Sequence, residues 1–88
     1  MIVEERCGGI VMKVYVVISN GEAVKGAVEG VFVEKPNARK CFRGIVKDWK
    51  QWSKGDDVEI EKHTDYFSLV NYDKDETVEV FIVEKELQ

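Results

Sequence analysis

Apolar and polar residues alternate in two stretches near the start of the chain. Residues 13–19 (KVYVVIS) and residues 27–34 (AVEGVFVE) are rich in β-branched and aromatic side chains, which favour extended strands. Asn20 and Gly21 follow the first stretch, and both tolerate the positive φ that a tight hairpin turn requires. The pattern predicts that the two stretches pair as an antiparallel β-hairpin.

The central part of the chain carries apolar residues at steps of three and four, which is the spacing of one helix face. These residues are Ala38, Cys41, Phe42, Ile45, Val46, Trp49 and Trp52. Pro36 is tolerated in a first helical turn and Gly55 suits a left-handed stop, so we expect a helix of about four turns between them. Gly44 costs this helix roughly 1 kcal/mol relative to alanine, and we expect it to let the helix approach a sheet closely.

Three further stretches, residues 57–62, 66–72 and 77–85, also alternate and predict strands that are joined by polar turns. The predicted order of elements is therefore ββαβββ. Because short connections join most neighbouring strands, we expect an α+β fold in which one amphipathic helix packs on a mostly antiparallel sheet.

Length and composition exclude several classes of protein. In a chain of 88 residues, we expect residues 1–11 to be a disordered N-terminal extension and residues 12–88 to form a single α+β domain. No apolar run approaches the roughly 20 residues that cross a bilayer, so we expect a cytoplasmic protein with no membrane association. Two cysteines without a CxxC pair and one histidine are too few for a disulfide framework or a zinc site, and no cofactor is expected.

The residues that are capable of catalysis stand apart from the partners that catalysis requires. His63 lies in a polar segment without a serine or cysteine motif beside it, so it is interpreted as a solvated loop residue. Cys41 falls on the apolar helix face, where a thiol behaves as a small hydrophobic side chain. The glycines match neither GxxxxGK[ST] nor GxGxxG, the loops that bind phosphates. We therefore expect a non-enzymatic protein with no catalytic or metal-binding residues.

Charge is distributed unevenly along the chain. The net charge is −4, with +2 in residues 1–44 and −6 in residues 45–88. The polar side of the predicted helix carries the basic residues Arg39, Lys40, Arg43, Lys47, Lys50 and Lys54. Such a stripe suits either contacts with nucleic-acid phosphates or an ordinary solvated helix face, and the overall acidity favours the solvated face.

Acidic residues form a regular row in the first strand after the helix. Asp57, Glu59 and Glu61 alternate with apolar residues, so their carboxylates share one face of the predicted strand at intervals of about 6.6 Å. The row is expected to be supplemented by Asp65, Asp73, Asp75, Glu76 and Glu79. Duplex DNA presents phosphates at an axial rise of about 3.4 Å per strand, which such a row can imitate. The alternative is a solvated sheet face whose charges discourage edge-to-edge pairing.

Three segments resemble small uncharacterised proteins of Gram-positive bacteria and their phages: KVYVV at residues 13–17, EGVFVEKPNARKCF at residues 29–42 and VFIVEKEL at residues 80–87. These motifs are structural, and the resemblance implies no function. In size, acidity and α+β pattern the chain also resembles the small acidic host-takeover proteins of lytic Bacillus phages. That second resemblance implies a DNA mimic that occupies the DNA-binding surface of the host nucleoid protein HU.

These observations lead to one functional hypothesis and two alternatives. We expect a non-enzymatic inhibitor that binds an HU-like bacterial DNA-binding protein through its acidic residues and does not itself bind nucleic acid. The first alternative is a nucleic-acid-binding module that uses the basic side of the helix. The second is a homo-oligomer, such as a homodimer, that pairs through residues 77–85 as an exposed strand edge.

Overall fold

A five-stranded antiparallel sheet with one helix makes up the part of the protein that the computed structural model describes, residues 12–21 and 26–87. In chain order the elements are β1 (Met12–Gly21), β2 (Ala27–Phe32), α1 (Lys35–Trp52), β3 (Val58–Lys62), β4 (Tyr66–Asn71) and β5 (Glu76–Leu87). The expected α+β class and the order ββαβββ are confirmed. The extension expected at residues 1–11 lies outside the described residues.

The strands lie side by side in the order β2-β1-β5-β4-β3. β5 is central because it pairs antiparallel with β1 along one side and with β4 along the other. The prediction that residues 77–85 offer an exposed pairing edge is therefore wrong. In the described sheet the edge strands are β2 and β3.

β1 runs through Asn20 and Gly21 without turning there. Asn20 lies opposite Glu79 and Gly21 lies opposite Val78, so pairing with β5 holds both residues in the strand. The side-chain oxygen Oδ1 of Asn20 accepts a hydrogen bond from the N–H of Gly26 at 3.1 Å. β1 and β2 pair antiparallel as expected, but the turn predicted at Asn20 and Gly21 is wrong. A long strand paired with a distant one outweighs a local turn preference.

The helix α1 has bounds close to those predicted, with Pro36 in its first turn. Its buried side chains follow the predicted apolar spacing and are Ala38, Phe42 and Val46. Gly55 has a φ of +87°, the left-handed conformation expected just beyond the helix end. Gly44 is exposed, and a Cβ added there meets nothing within 4 Å. The expectation that Gly44 permits close approach to the sheet is therefore wrong.

The hydrophobic core lies between α1 and one face of the sheet. Its buried residues are Val17, Ala38, Phe42, Val46, Phe67, Leu69, Val78 and Val80. Because successive side chains of a strand point to opposite faces, the strand residues between these core positions lie on the other face. We call that second face, opposite α1, the open face.

Candidate functional site

The open face carries no helix in the part of the chain that the structure describes, and its residues are placed by the strand register. Directly opposite residues of paired strands share a face. Ile18 of β1 lies opposite Phe81 of β5, and Phe81 lies opposite Tyr66 of β4. Glu79 lies opposite Ser68, which in turn lies opposite Glu61. These rows, which run across the strands, divide the open face into an acidic part and an apolar part.

The acidic part, which we call the acidic patch, consists of Asp57, Glu59, Glu61 and Glu79. Glu59 and Glu61 point away from α1 because Val58, between Asp57 and Glu59, packs against the core. Asp57 continues the alternation just before β3, where its backbone oxygen accepts the N–H of Tyr72 at 2.9 Å. The three residues of the predicted row therefore share one face, and β5 adds Glu79 two strands away.

Neighbouring polar side chains contact three of the four carboxylates of the acidic patch. The hydroxyl of Tyr72 donates to Oε1 of Glu59 at 2.6 Å, and the hydroxyl of Tyr66 donates to Oε2 of Glu79 at 2.7 Å. These hydrogen bonds to carboxylates are the main reason that the pKa values of both tyrosines are raised. Nε2 of the exposed His63 lies 2.9 Å from Oε2 of Glu61. No lysine or arginine of the described residues forms an ion pair with the acidic patch.

The other four acidic residues of the predicted set are not part of the acidic patch. Asp65 is bound by two bases of α1, with Lys35 Nζ at 3.4 Å and Arg39 Nε at 3.2 Å, so its charge is compensated. Asp73, in the β4–β5 connection, adjoins the acidic patch, where its Oδ2 accepts the backbone N–H of Asp57 at 2.8 Å.

The last two residues of the set, Asp75 and Glu76, lie at the start of β5. Asp75 occupies the β4–β5 turn with a φ of +53°. Glu76 lies opposite the buried Asn71, on the face that carries α1. Of the eight predicted residues, four thus form the acidic patch, Asp73 adjoins it, and three lie apart from it.

The apolar part, which we call the apolar patch, was not predicted from the sequence. It consists of Val16, Ile18, Val28, Val31, Phe81 and Val83. A β-bulge places Glu29 as an extra residue between Val28 and Gly30, so that Val28 and Val31 both face the open side and are 60% and 59% exposed. The signal was present in the unbroken apolar runs of residues 14–18 and 80–83, since such runs are typical of strands covered on both faces.

The outer side of α1 carries the opposite charge. Its exposed basic residues are Lys40, Arg43, Lys47 and Lys50, and Lys54 follows the helix end. None of these five forms an ion pair with another described residue within 4.0 Å. Because α1 covers one face of the sheet and the acidic patch lies on the other, these five bases and the acidic patch lie on opposite sides of the molecule.

Two kinds of group that could carry chemistry are the thiol of Cys41 and any cluster of metal ligands. Cys41 is half-buried, and its pKa is raised by burial and by the nearby Glu29 carboxylate, which disfavours a reactive thiolate. Across residues 12–21 and 26–87, no three histidine, cysteine, aspartate or glutamate side chains gather in a way that could hold a metal ion. The described helix is not long and apolar enough to cross a membrane.

Comparison with known proteins adds no relative from which a function could be transferred. The chain matches no protein-family model, no curated protein and no solved structure. The resemblance to phage host-takeover proteins therefore stays a prediction, and function is inferred from the chemistry of the two faces.

Proposed function

We propose that this chain is a non-enzymatic inhibitor that binds the basic DNA-binding surface of a bacterial protein through the acidic patch, with the nucleoid protein HU as the specific candidate. The observation that supports the proposal is the gathering of Asp57, Glu59, Glu61 and Glu79 on one open sheet face without a lysine or arginine partner among the described residues. In the proposed complex, the partner's lysines and arginines that normally contact DNA phosphates contact these carboxylates instead.

The spacing of the acidic patch suits a surface that reads phosphates. Carboxylates two residues apart on β3 are separated by about 6.6 Å, and Glu61 and Glu79, two strands apart, by about 9.6 Å. These intervals are comparable to a few phosphate steps along duplex DNA, for which the axial rise is about 3.4 Å per strand. Because the carboxylates are carried by paired strands, little conformational entropy is lost when they bind.

The position of the bases supports the same mode of binding. The cations of α1 lie behind the sheet, so they do not neutralise the acidic patch. A basic partner is therefore attracted to the open face and repelled from the helix, which orients the encounter. Since the attraction is between exposed charges, affinity is expected to fall as salt rises.

The test is displacement of a fluorescent duplex from purified HU, followed by anisotropy. The full chain is expected to release the duplex. The triple variant D57N/E59Q/E61Q should need about tenfold more protein or greater for half-displacement, because three attractive charges are lost. Circular dichroism checks that the fold is intact.

The matched control is the triple variant D48N/E84Q/E86Q, which changes the net charge equally at exposed positions outside the acidic patch. It should displace the duplex within about twofold of the unmodified chain, because it leaves the patch unchanged. The proposal is wrong if the unmodified chain releases no duplex, or if both triple variants are weakened equally.

Nucleic-acid binding by α1 is the second candidate. It is favoured by the five exposed bases on and just after the helix, none of which forms an ion pair with another described residue. If it is correct, the chain alone binds a labelled duplex, and the variant R43Q/K47Q/K50Q loses that binding and its salt dependence. The acidic-patch variant would then bind the duplex at least as well as the unmodified chain. The two candidates are therefore separated by which set of substitutions removes activity.

A further inference from the structure

The central strand presents a self-complementary row of side chains on the open face. In chain order this row is Glu79, Phe81, Val83 and Lys85. When two copies of the row face each other in antiparallel orientation, the anion of each copy lies opposite the cation of the other. The row is symmetric about Ile82, since Phe81 and Val83 each lie one position from it and Glu79 and Lys85 each lie three positions from it. Lys85 is exposed and forms no ion pair with another described residue.

We propose that the open face binds the open face of a second copy of this chain, with the two β5 strands antiparallel across a twofold axis. The axis lies between the two sheets, perpendicular to the strands, at the level of Ile82. In this arrangement Phe81 packs on the partner's Val83, and Glu79 forms an ion pair with the partner's Lys85. A twofold interface uses the same surface on both copies, so that surface must be complementary to itself. The row meets this requirement because it has an anion at one end and a cation at the other.

The strands beside β5 fit the same axis. Val17 lies opposite Ile82, and Gly30 lies opposite Val17, so all three stand at one level. On β1, Val16 and Ile18 flank that level and pack on the partner's Ile18 and Val16. On β2 the bulge places Val28 and Val31 on either side of it. Every row of the apolar patch therefore meets an apolar row, with sheets about 10 Å apart as in a β-sandwich.

The charges of Glu79 and Lys85 favour this alignment of the two β5 strands over other alignments. A shift of two residues places Glu79 against an apolar side chain, which leaves a carboxylate partly desolvated without a partner. A parallel arrangement places Glu79 against the partner's Glu79. The hydrogen bond from Tyr66 to Glu79, 2.7 Å long, holds this carboxylate on the open face.

Val28 and Val31 extend the apolar patch to the sheet edge as exposed side chains, and contiguous apolar patches of this kind mark interaction sites.

The dimer takes Glu79 out of the acidic patch and leaves Asp57 and Glu59 available to a basic partner, and it does not depend on the proposed function. Asp57 and Glu59 lie farther from the axis than Glu79, beyond the partner's Lys85. They therefore stay exposed, and the dimer carries two such acidic regions at opposite ends. The variant D57N/E59Q/E61Q should dimerise like the unmodified chain even where it fails to displace DNA, so the two proposals can fail separately.

The experiment is sedimentation equilibrium of the full chain over a concentration series at low salt. The unmodified chain is expected to dimerise. E79K and K85E each place like charges together at two symmetric sites, so each should raise the dimer dissociation constant about tenfold or more. The double variant E79K/K85E restores both pairs with reversed polarity and should return the constant to within about threefold of the original. K47E, which changes the net charge as K85E does but on α1, should have no effect.

A second pair of substitutions tests the apolar contribution. V28S/V31S alters exposed side chains of the edge strand and is expected to weaken the dimer about tenfold or more while circular dichroism stays unchanged. The proposal is overturned by a chain that stays monomeric throughout the concentration series. It is overturned equally by a dimer in which the double charge reversal is as weak as the two single reversals, or by one that V28S/V31S leaves unaffected.

Discussion

At the residue scale, the buried amide of Asn71 organises the polar end of the core. Its Nδ2 donates to Oδ2 of Asp56 at 2.9 Å, and its Oδ1 accepts the backbone N–H of Lys74 at 2.8 Å. The Lys74 ammonium binds the same Asp56 oxygen and donates to the backbone oxygen of Trp52 at 3.0 Å. These contacts tie the end of α1 to the β4–β5 turn. The hydrogen bonds from Asn71 and then from Lys74 hold the pKa of Asp56 below its ordinary value.

The lowered pKa of Asp56 predicts how acid affects stability. A carboxyl whose folded-state pKa is depressed stabilises the fold above its unfolded-state pKa, and that stability is lost as pH falls through the folded-state pKa. In D56N this contribution is absent, so its free energy of unfolding should be lower than that of the unmodified chain near neutral pH. The difference should shrink below about pH 4. Urea unfolding at a series of pH values measures it, and two curves that stay parallel down to about pH 2 would contradict the assignment.

At the element scale, two glycines of the helical region have opposite roles. Gly44 lies at an exposed position inside α1, and the space that a Cβ would occupy there is open, so nothing in the packing requires a glycine. Gly55, just beyond the helix, has a φ of +87°, a conformation that L side chains rarely adopt. The effect of a substitution on stability is therefore set by helix propensity at Gly44 and by backbone conformation at Gly55.

The same pair of glycines supplies a matched prediction. G44A should raise the free energy of unfolding by about 0.5–1 kcal/mol, because alanine loses less backbone entropy in a helix. G55A should lower it by about 1–2 kcal/mol, because a Cβ is strained in the left-handed region. Urea denaturation of both variants checks the signs. A loss of stability in G44A would mean that this position has a packing role that its open surroundings do not indicate.

At the scale of the whole molecule, β5 joins the two halves of the sheet. It pairs with β1 on one side and β4 on the other, and it contributes Val78 and Val80 to the core. The edge strands β2 and β3 each pair on one side only within the described sheet. The net charge of −4 conceals a further division, since the acidic patch and the helix bases lie on opposite faces.

The central position of β5 predicts the order of amide exchange. Backbone amides of residues 78–82 should exchange with solvent most slowly, since they open only when the sheet separates from both neighbours and the core is exposed. Amides of the edge strand β3 should exchange faster by roughly an order of magnitude or more, because fewer buried contacts close over them. Hydrogen–deuterium exchange followed by NMR measures both sets. Equal protection in β3 and β5 would contradict the strand order.

Local periodicity accounts for what could be predicted from the amino-acid sequence. The three- and four-residue spacing of Ala38, Phe42 and Val46 is a property of a single helix, and those residues form its buried side. The two-residue alternation of Glu59 and Glu61 is a property of a single strand, and it correctly placed them on one face. Such patterns depend only on backbone geometry within one element.

Contacts between distant segments decided the rest. The central position of β5, the compensation of Asp65 by Arg39 across 26 residues and the extension of β1 through Asn20 all depend on which elements meet. The apolar patch likewise exists because β1, β5 and β2 lie side by side. Strand pairing and burial are cooperative over the whole core, so they outweigh local turn preferences such as that of Asn20. They also determine which charged residues share a face, which no single segment of the sequence specifies.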